Sequence, residues 1–325
     1  MQAIILAAGK STRTYPLTLT RPKPLLKVAN KTLLEHNLDN LNGIVDEVII
    51  IVGYKKEMIK KFLRNKYKNL RIKYVVQQKQ LGTGNALLAV EKYIKNDFIS
   101  LYGDDIYSKK DFKNIVKNKY SILAKKVESP QLFGVIVEKN KILINLIEKP
   151  KKFVSNLVNT GLYKLDKKIF SLIKKLKKSK RNEYELTDAI KDLSKVERIK
   201  CIISKYWIPV VYPLDLLKAD RILRKNKDII GKKTKIHGKT QNSTIGNNCV
   251  IKGNVRNSIV MDKTIITKNS IVENSIIGEK VYFSGKASGA VIADNSKLVN
   301  VIIKAGCKIW PDKKIKNKNI EHDVQ

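Results

Sequence analysis

From Lys232 to Ile315, apolar residues fall on a six-residue beat. Ile245 and Ile251 form one pair, Ile259, Ile265, Ile271, Ile277 and Phe283 keep the period, and Ile303, Ile309 and Ile315 resume it. Such hexads are the signature of a β-helix, in which each short strand sends an apolar side chain inward and each coil buries its neighbour. At three hexads per coil, about eighty residues make roughly four or five coils. The step of eight between Ile251 and Ile259 and the break after Phe283 read as bulges at corners. The repeat occupies 231–315, and the polar stretch 316–325 reads as a frayed tail.

The residues before the repeat follow a different rule. Ala3-Ile4-Ile5-Leu6, Val48 to Val52, Ile72 to Val76 and Phe98 to Tyr102 are short apolar runs suited to buried strands. Between them, residues 26–43 (with Leu33, Leu34, Leu38 and Leu41) and Lys55 to Asn65 carry helical spacing. The alternation predicts a parallel, doubly wound sheet over residues 1–230, and ligands of such sheets lie beyond the carboxyl ends of the strands.

Three stretches at those ends carry chemistry. Ala7-Ala8-Gly9-Lys10-Ser11-Thr12-Arg13 is small-residued, so backbone N–H groups can close on a polyphosphate, and Lys23 places a second cation ten residues after Arg13. In Gln77-Gln78-Lys79-Gln80-Leu81-Gly82-Thr83, amides that both donate and accept suit the edge of a pyrimidine, and glycine permits close approach. Gly103-Asp104-Asp105 puts a carboxylate where a magnesium ion bridging phosphates would sit.

Composition narrows the function classes. A chain of 325 residues suggests two domains, its 43% hydrophobic content is that of a soluble globular protein, and no apolar run approaches membrane-spanning length. The N-terminus opens directly on a strand, which predicts no signal peptide. Cys201, Cys249 and Cys307 are odd in number and lack metal-site spacing, so they read as small core residues in a reducing cytoplasm. The formal charge of +37 raises a polyanion-binding role. Lysine dominates it and arginine, the residue of specific phosphate and base contacts, is scarce. Runs such as Lys174-Lys175 and Lys177-Lys178 beside Ile173 and Leu176 fit the solvated side of a helix. A specific nucleic-acid role is therefore not expected.

The string LAAGKSTR…TRPKPLLKVANKTLLEH resembles the signature of the sugar-1-phosphate nucleotidylyltransferases, and the resemblance covers nearly the full chain. Ser11 replaces the family's second glycine and Thr14-Tyr15 its leucine; serine is small enough to be tolerated. The resemblance implies a Rossmann-like doubly wound mixed sheet of the nucleotide-diphospho-sugar transferase type, followed by a short left-handed β-helix of the kind that often makes homo-oligomers, trimers among them. It implies a reaction between a nucleoside triphosphate, UTP or dTTP, and N-acetylglucosamine 1-phosphate or glucose 1-phosphate, with Mg2+ as cofactor. Arg13 and Lys23 would be the catalytic cations. Leu6, Ala8, Gly9, Gln77, Gln80, Gly82 and Thr83 would bind the nucleotide, and Asp104 would bind the metal. Tyr102, Gly134, Glu148, Lys149, Asn159 and Thr187 would hold the sugar phosphate, through segments similar to the family's EKP and NxGxY elements. Asp105 reads as a turn or cap residue.

Two departures matter. Pro209 stands where the family carries a second metal ligand, and proline has no side-chain donor. This leaves a non-catalytic sugar-nucleotide sensor or scaffold as the alternative. In bifunctional relatives the β-helix is an acetyltransferase that works with a histidine; Lys268 holds that position here, and His36, His237 and His322 lie elsewhere. Acetyltransferase activity is not expected.

Overall fold

The computed structural model describes residues 1–325, which form two compact units. Residues 1–9 and 34–208 make the first, and residues 10–33 and 209–325 the second.

The first unit is built on one mixed sheet. Its strands are β1 (Gln2–Ala7), β2 (Glu47–Val52), β3 (Leu70–Val76), β4 (Phe98–Tyr102), β5 (Ser121–Lys126), β6 (Gly134–Lys139), β7 (Ile142–Glu148), β8 (Leu157–Leu165) and β9 (Lys200–Ile203). They run in the order β3-β2-β1-β4-β8-β5-β9-β7-β6, with the short Lys66–Tyr67 strand outside β3. The β3-β2-β1-β4 block is parallel, and β8 enters antiparallel between β4 and β5. Every residue of β2 is buried, which is why its sequence is continuously apolar after Glu47. Helices α1 (Leu33–Leu41), α2 (Lys56–Leu63), α3 (Thr83–Leu88), α4 (Lys109–Ile115), α5 (Lys168–Lys174) and α6 (Leu186–Ser194) accompany the strands. The stacked rings of Phe98 and Phe170 lie 5.8 Å apart in the core. On α5, Ile169, Phe170 and Ile173 are buried while Lys174 is exposed, as its amphipathic pattern requires.

The helix anticipated over 26–43 begins only at Leu33. Lys27–Val28 and Lys31–Thr32 instead pair as a hairpin whose turn residues, Ala29 and Asn30, have φ 48 and 58. A two-residue turn with both φ positive matches strand twist, and the apolar residues at helical spacing all lie beyond it.

In the second unit, the segment 10–33 and helix α7 (Asp215–Arg224) accompany a left-handed β-helix of six coils. Its three inward columns are Ile230-Ile245-Val260-Ile277-Ile292-Ile309, Ile236-Ile251-Ile266-Phe283-Leu298-Ile315 and Thr240-Val255-Val272-Ala287-Ile303-Ile320. The expectation of four or five coils is corrected upward because the inward steps are four, five or six residues, not a strict six. The phase also shifts. Ile266 is fully buried, while Ile265, assigned inward by the beat, is 38% exposed, and Val272 replaces Ile271. Where two apolar residues adjoin, a slip of one exchanges the faces.

Corners are turned by left-handed residues. Asn242, Asn257 and Asn274 (φ 50, 49 and 47) stack at one corner; Asn248, Lys263, Lys280, Asn295 and Asp312 at another. Asparagine tolerates this region better than most residues, so part of the chain's asparagine has a structural use. Inside, hydroxyls form a ladder: Ser243 Oγ accepts from Ser258 N at 3.1 Å, Ser258 Oγ from Ser275 N at 3.1 Å, and Ser275 Oγ from Ala290 N at 3.0 Å. The tail expected to fray is instead the last coil. Lys314–Ile320 pairs with Lys297–Ile303, Ile320 is buried, and Val324 O accepts from Trp310 N at 2.8 Å. Its alternating Lys and Asn project from one more rung of a ladder whose inward positions are Ile315 and Ile320.

Candidate active site

The carboxyl ends of β1, β2 and β4 are drawn together by glycines. A Cβ on Gly53 would lie 2.7 Å from Ala8 O, and one on Gly103 would lie 2.8 Å from Ile5 Cγ2. Gly103 N donates to Leu6 O at 2.9 Å, and Ala8 O accepts from both Tyr54 N (3.0 Å) and Gln80 Nε2 (2.8 Å). Gln80 and Ala8 are thus hydrogen-bonded in one rim, with Leu6 tied to Gly103 just before it and Gly9 next along the chain.

Gln77 is buried and donates to Gly82 O at 3.2 Å and Asn85 Oδ1 at 3.1 Å, which shapes the 77–85 loop. The loop is clamped from its other side: Tyr184 N donates to Leu81 O at 2.8 Å, Gly84 N to Tyr184 O at 2.8 Å, and Leu186 N to Thr83 Oγ1 at 3.1 Å. Gly82, at φ 100, leaves room for Tyr184 O, which would meet a Cβ at 2.7 Å. Here glycine serves the packing of the loop itself, a reason the sequence did not reveal.

A second polar wall forms from β4, β6, β7, β8 and the 179–187 segment. Asn159 Nδ2 donates to Tyr163 Oη at 2.6 Å, Asn159 Oδ1 accepts from Gly161 N at 2.9 Å, and the Tyr102 hydroxyl lies close enough to Tyr163 to feel its charge. Gly161, at φ 77, lets the Tyr102 ring lie against the backbone, where a Cβ would come within 2.2 Å of it. Burial drives the Tyr102 hydroxyl well above its usual range, with Tyr163 and Glu148 adding to the shift, so it stays a neutral donor. Glu148 Oε2 would lie 3.0 Å from a Cβ on Gly134, so that glycine admits the carboxylate. Burial raises Glu148, Arg181 opposes the shift and Glu185 adds to it. Arg181 reaches Glu148 Oε1 at 3.3 Å and Glu185 Oε1 at 2.8 Å. Thr187 Oγ1 is buried without a hydrogen-bond partner. Lys149 is exposed at φ 46, and its N–H donates to Phe133 O at 3.1 Å.

Asp104 is half-buried in the turn after β4. Its neighbour Asp105 is structural: Oδ2 accepts from Trp207 Nε1 at 3.1 Å and its carbonyl from Asn37 Nδ2 at 2.7 Å, while Ile106 and Ile208 pair as an antiparallel bridge. Sequence reasoning missed Arg181, whose signal is that it is one of few arginines in a lysine-dominated chain.

Arg13 and Lys23 belong to the other unit. Ser11, at φ 54 and ψ 52, turns the loop, and its carbonyl accepts from Thr14 N (3.1 Å), Thr14 Oγ1 (2.7 Å) and Thr18 Oγ1 (2.9 Å). Arg13 is exposed on that turn, whereas Lys23 is buried at the head of the turn Lys23–Leu25.

Residues 2–226 match the model of the family described as Nucleotidyl transferase. The chain belongs to the nucleotidyl transferase family. Residues 227–325 match the GlmU-like, C-terminal hexapeptide family. The chain is 42% identical to the "Bifunctional protein GlmU" of Methanocaldococcus jannaschii over 94% of its own length and 84% of that protein's. It is 35% identical to the "UTP--glucose-1-phosphate uridylyltransferase AglF" of Haloferax volcanii, over 69% of this chain and 97% of that one. Among solved structures, a Bacillus anthracis protein assigned as a glucose-1-phosphate thymidylyltransferase superposes with a TM-score of 0.62 at 30% identity, over 69% of this chain and 95% of its own. A UDP-glucose pyrophosphorylase shares the fold at the same TM-score and 23% identity, over 70% of this chain and 99% of its own. In this nucleotidyl transferase, no helix is long and apolar enough to cross a membrane, and all three cysteines are free and buried.

Proposed function

We propose that this nucleotidyl transferase joins a sugar 1-phosphate to a nucleoside triphosphate, making an NDP-sugar and pyrophosphate. The observation that carries the reading is the pair of polar walls at the carboxyl ends of the strands. One is an amide rim from Gln77 and Gln80; the other gathers Tyr102, the hydrogen-bonded pair Asn159 and Tyr163, and Glu148 with the unpartnered hydroxyl of Thr187. Uracil or thymine suits the first, with Gly82 and Thr83 setting the loop and Leu6, Ala8 and Gly9 the rim. Sugar hydroxyls and a 2-substituent suit the second, with Gly134 leaving space and Lys149 on the sugar phosphate. UTP with N-acetylglucosamine 1-phosphate is the pair favoured by the QxxQLGTG form of the loop.

The reaction needs no covalent intermediate on the protein. The sugar phosphate oxygen attacks the α-phosphorus in line and pyrophosphate leaves, so the chain contributes positioning and charge stabilisation. Arg13 and Lys23 are assigned to the triphosphate and its leaving group. The half-buried carboxylate of Asp104, in the turn after β4, fits Mg2+, which in phosphate sites takes one or two carboxylates plus phosphates and water; Asp104 would hold it, and it would supply charge neutralisation. Pro209 removes a second protein ligand without removing this one.

The β-helix is assigned a homo-oligomeric role, with a trimer among the candidate assemblies, and no acetyl transfer, since Lys268 replaces the histidine base. Buried free cysteines agree with a cytoplasmic location, and no specific nucleic-acid partner is assigned to the lysine charge. The deciding experiment measures pyrophosphate release with magnesium over UTP and dTTP against glucose and N-acetylglucosamine 1-phosphates. Release in one combination names the substrates. Silence in all four, with UTP still raising the melting temperature, would favour the sensor suggested by Pro209.

A further inference from the structure

The β-helix meets the segment 10–33 through carboxylates on one of its corners. Asp262 and Asp294 occupy equivalent places there. Asp262 Oδ1 accepts from Asn247 N at 2.9 Å, and Asp294 Oδ1 accepts from Glu279 N at 2.7 Å, so each ties its coil to the preceding one. Gly246 and Gly278 make this possible, since a Cβ would come within 2.5 and 2.6 Å of those oxygens. The second oxygen of each faces the segment: Asp262 Oδ2 is 2.6 Å from Lys27 Nζ, and Asp294 Oδ2 accepts from Arg21 Nη2 and Thr20 Oγ1. Glu279 takes the other arm of Arg21. Arg21 is buried; burial alone would lower its pKa, and Asp294 and Glu279 more than offset this and raise it. Further along, Asn30 Nδ2 donates to Ile245 O at 2.8 Å and Ala29 N to Asp220 Oδ1 at 2.8 Å. Arg21 and Lys27 are two residues before and four residues after Lys23.

We propose that this corner of the β-helix is a positioning device for nucleotidyl transfer: Asp262, Glu279 and Asp294 grip Arg21 and Lys27, fixing the stretch that presents Arg13 and Lys23 to the triphosphate. The proposal rests on the assignment of those two cations under the proposed function. It gives the hexapeptide unit a part in the first reaction, separate from assembly or acetyl transfer. Preorganised charges stabilise a leaving group only when they need not reorganise during the step, and a displacement of about 1 Å costs up to ~100-fold in rate.

The test uses the full chain. Asp262→Asn with Asp294→Asn keeps an oxygen for each corner N–H and removes the charge facing Lys27 and Arg21. Glu279→Gln, whose side chain meets only Arg21, serves if the double variant does not fold. Asp323→Asn is the control, because Asp323 Oδ1 accepts from Lys308 N at 2.8 Å in the same manner on the last coil, without a partner in 10–33. The double variant is expected to lose roughly ten- to a hundred-fold in kcat, with the KM for sugar 1-phosphate essentially unchanged. Amide hydrogen exchange over 12–26 should become faster, and Asp294→Glu should restore part of kcat. Unchanged kcat in a folded variant, or a loss that Asp323→Asn reproduces, overturns the proposal. If the wild-type chain releases no pyrophosphate from any pair, the reaction assignment fails first. Exchange over 12–26 then judges the grip alone, and an unchanged rate overturns it.

Discussion

Ser11 stands in left-handed backbone, where a side chain is strained and glycine is not. The family's glycine at this place is thus replaced by a residue that is small but still bears a Cβ. Ser11→Gly is expected to raise stability by about 1 kcal/mol, read by chemical denaturation, since the bonds to Ser11 are made by its carbonyl. Gly161→Ala should act oppositely, because the new methyl would enter the Tyr102 ring; loss of cooperative folding or a several-degree fall in melting temperature checks it. Glu148 adds a pH signature. Its carboxyl is raised in the folded protein, chiefly by burial. The carboxylate therefore costs stability above the folded value, and the cost disappears as pH falls below the unfolded value, near 4. Glu148→Gln should be more stable than wild type at pH 7, with the gap closing toward pH 4. Asp104→Ala is expected to abolish pyrophosphate release with the melting temperature preserved, and retained turnover would remove Asp104 from the site. At this scale the sequence indicated which residue types gather at strand ends. It did not indicate their ties to one another, such as Gln80 to Ala8 O or Arg181 to Glu148 and Glu185, because these join residues far apart in the chain.

Strands were legible where both faces are buried. Phe98 to Tyr102 is observed with the anticipated bounds, and Val48 to Val52 lies within Glu47–Val52. The hairpin before α1 was not, since Val28 to Thr32 has too few residues for a period and the left-handed Ala29 and Asn30 carry no glycine to mark the turn. In the β-helix the period was visible and its phase was not. Ile265-Ile266 and Ile271-Val272 offer two apolar residues to one inward place, and only the coil above and below chooses between them. Ile266→Ala should cost about 2–5 kcal/mol and Ile265→Ala less than about 1 kcal/mol, compared by denaturant midpoint. Equal costs would contradict the observed phase. Ser258→Ala should cost about 1–3 kcal/mol, because it leaves the buried Ser275 N–H without its acceptor.

Across the whole molecule, the chain passes between its two compact units after Gly9, Leu33 and Ile208. The family matches divide it once, between 226 and 227. Both divisions describe the same polymer, one by kinship and one by contact, and they disagree over residues 10–33 and 209–226. Heredity feels the difference. A recombination event at the family boundary would carry Arg21 and Lys27 with one parent and Asp262, Glu279 and Asp294 with the other. Such chimaeras would work poorly unless both parents kept the same pairing, so these positions should drift together among relatives, and gene fusions at this junction should be inherited intact rather than shuffled.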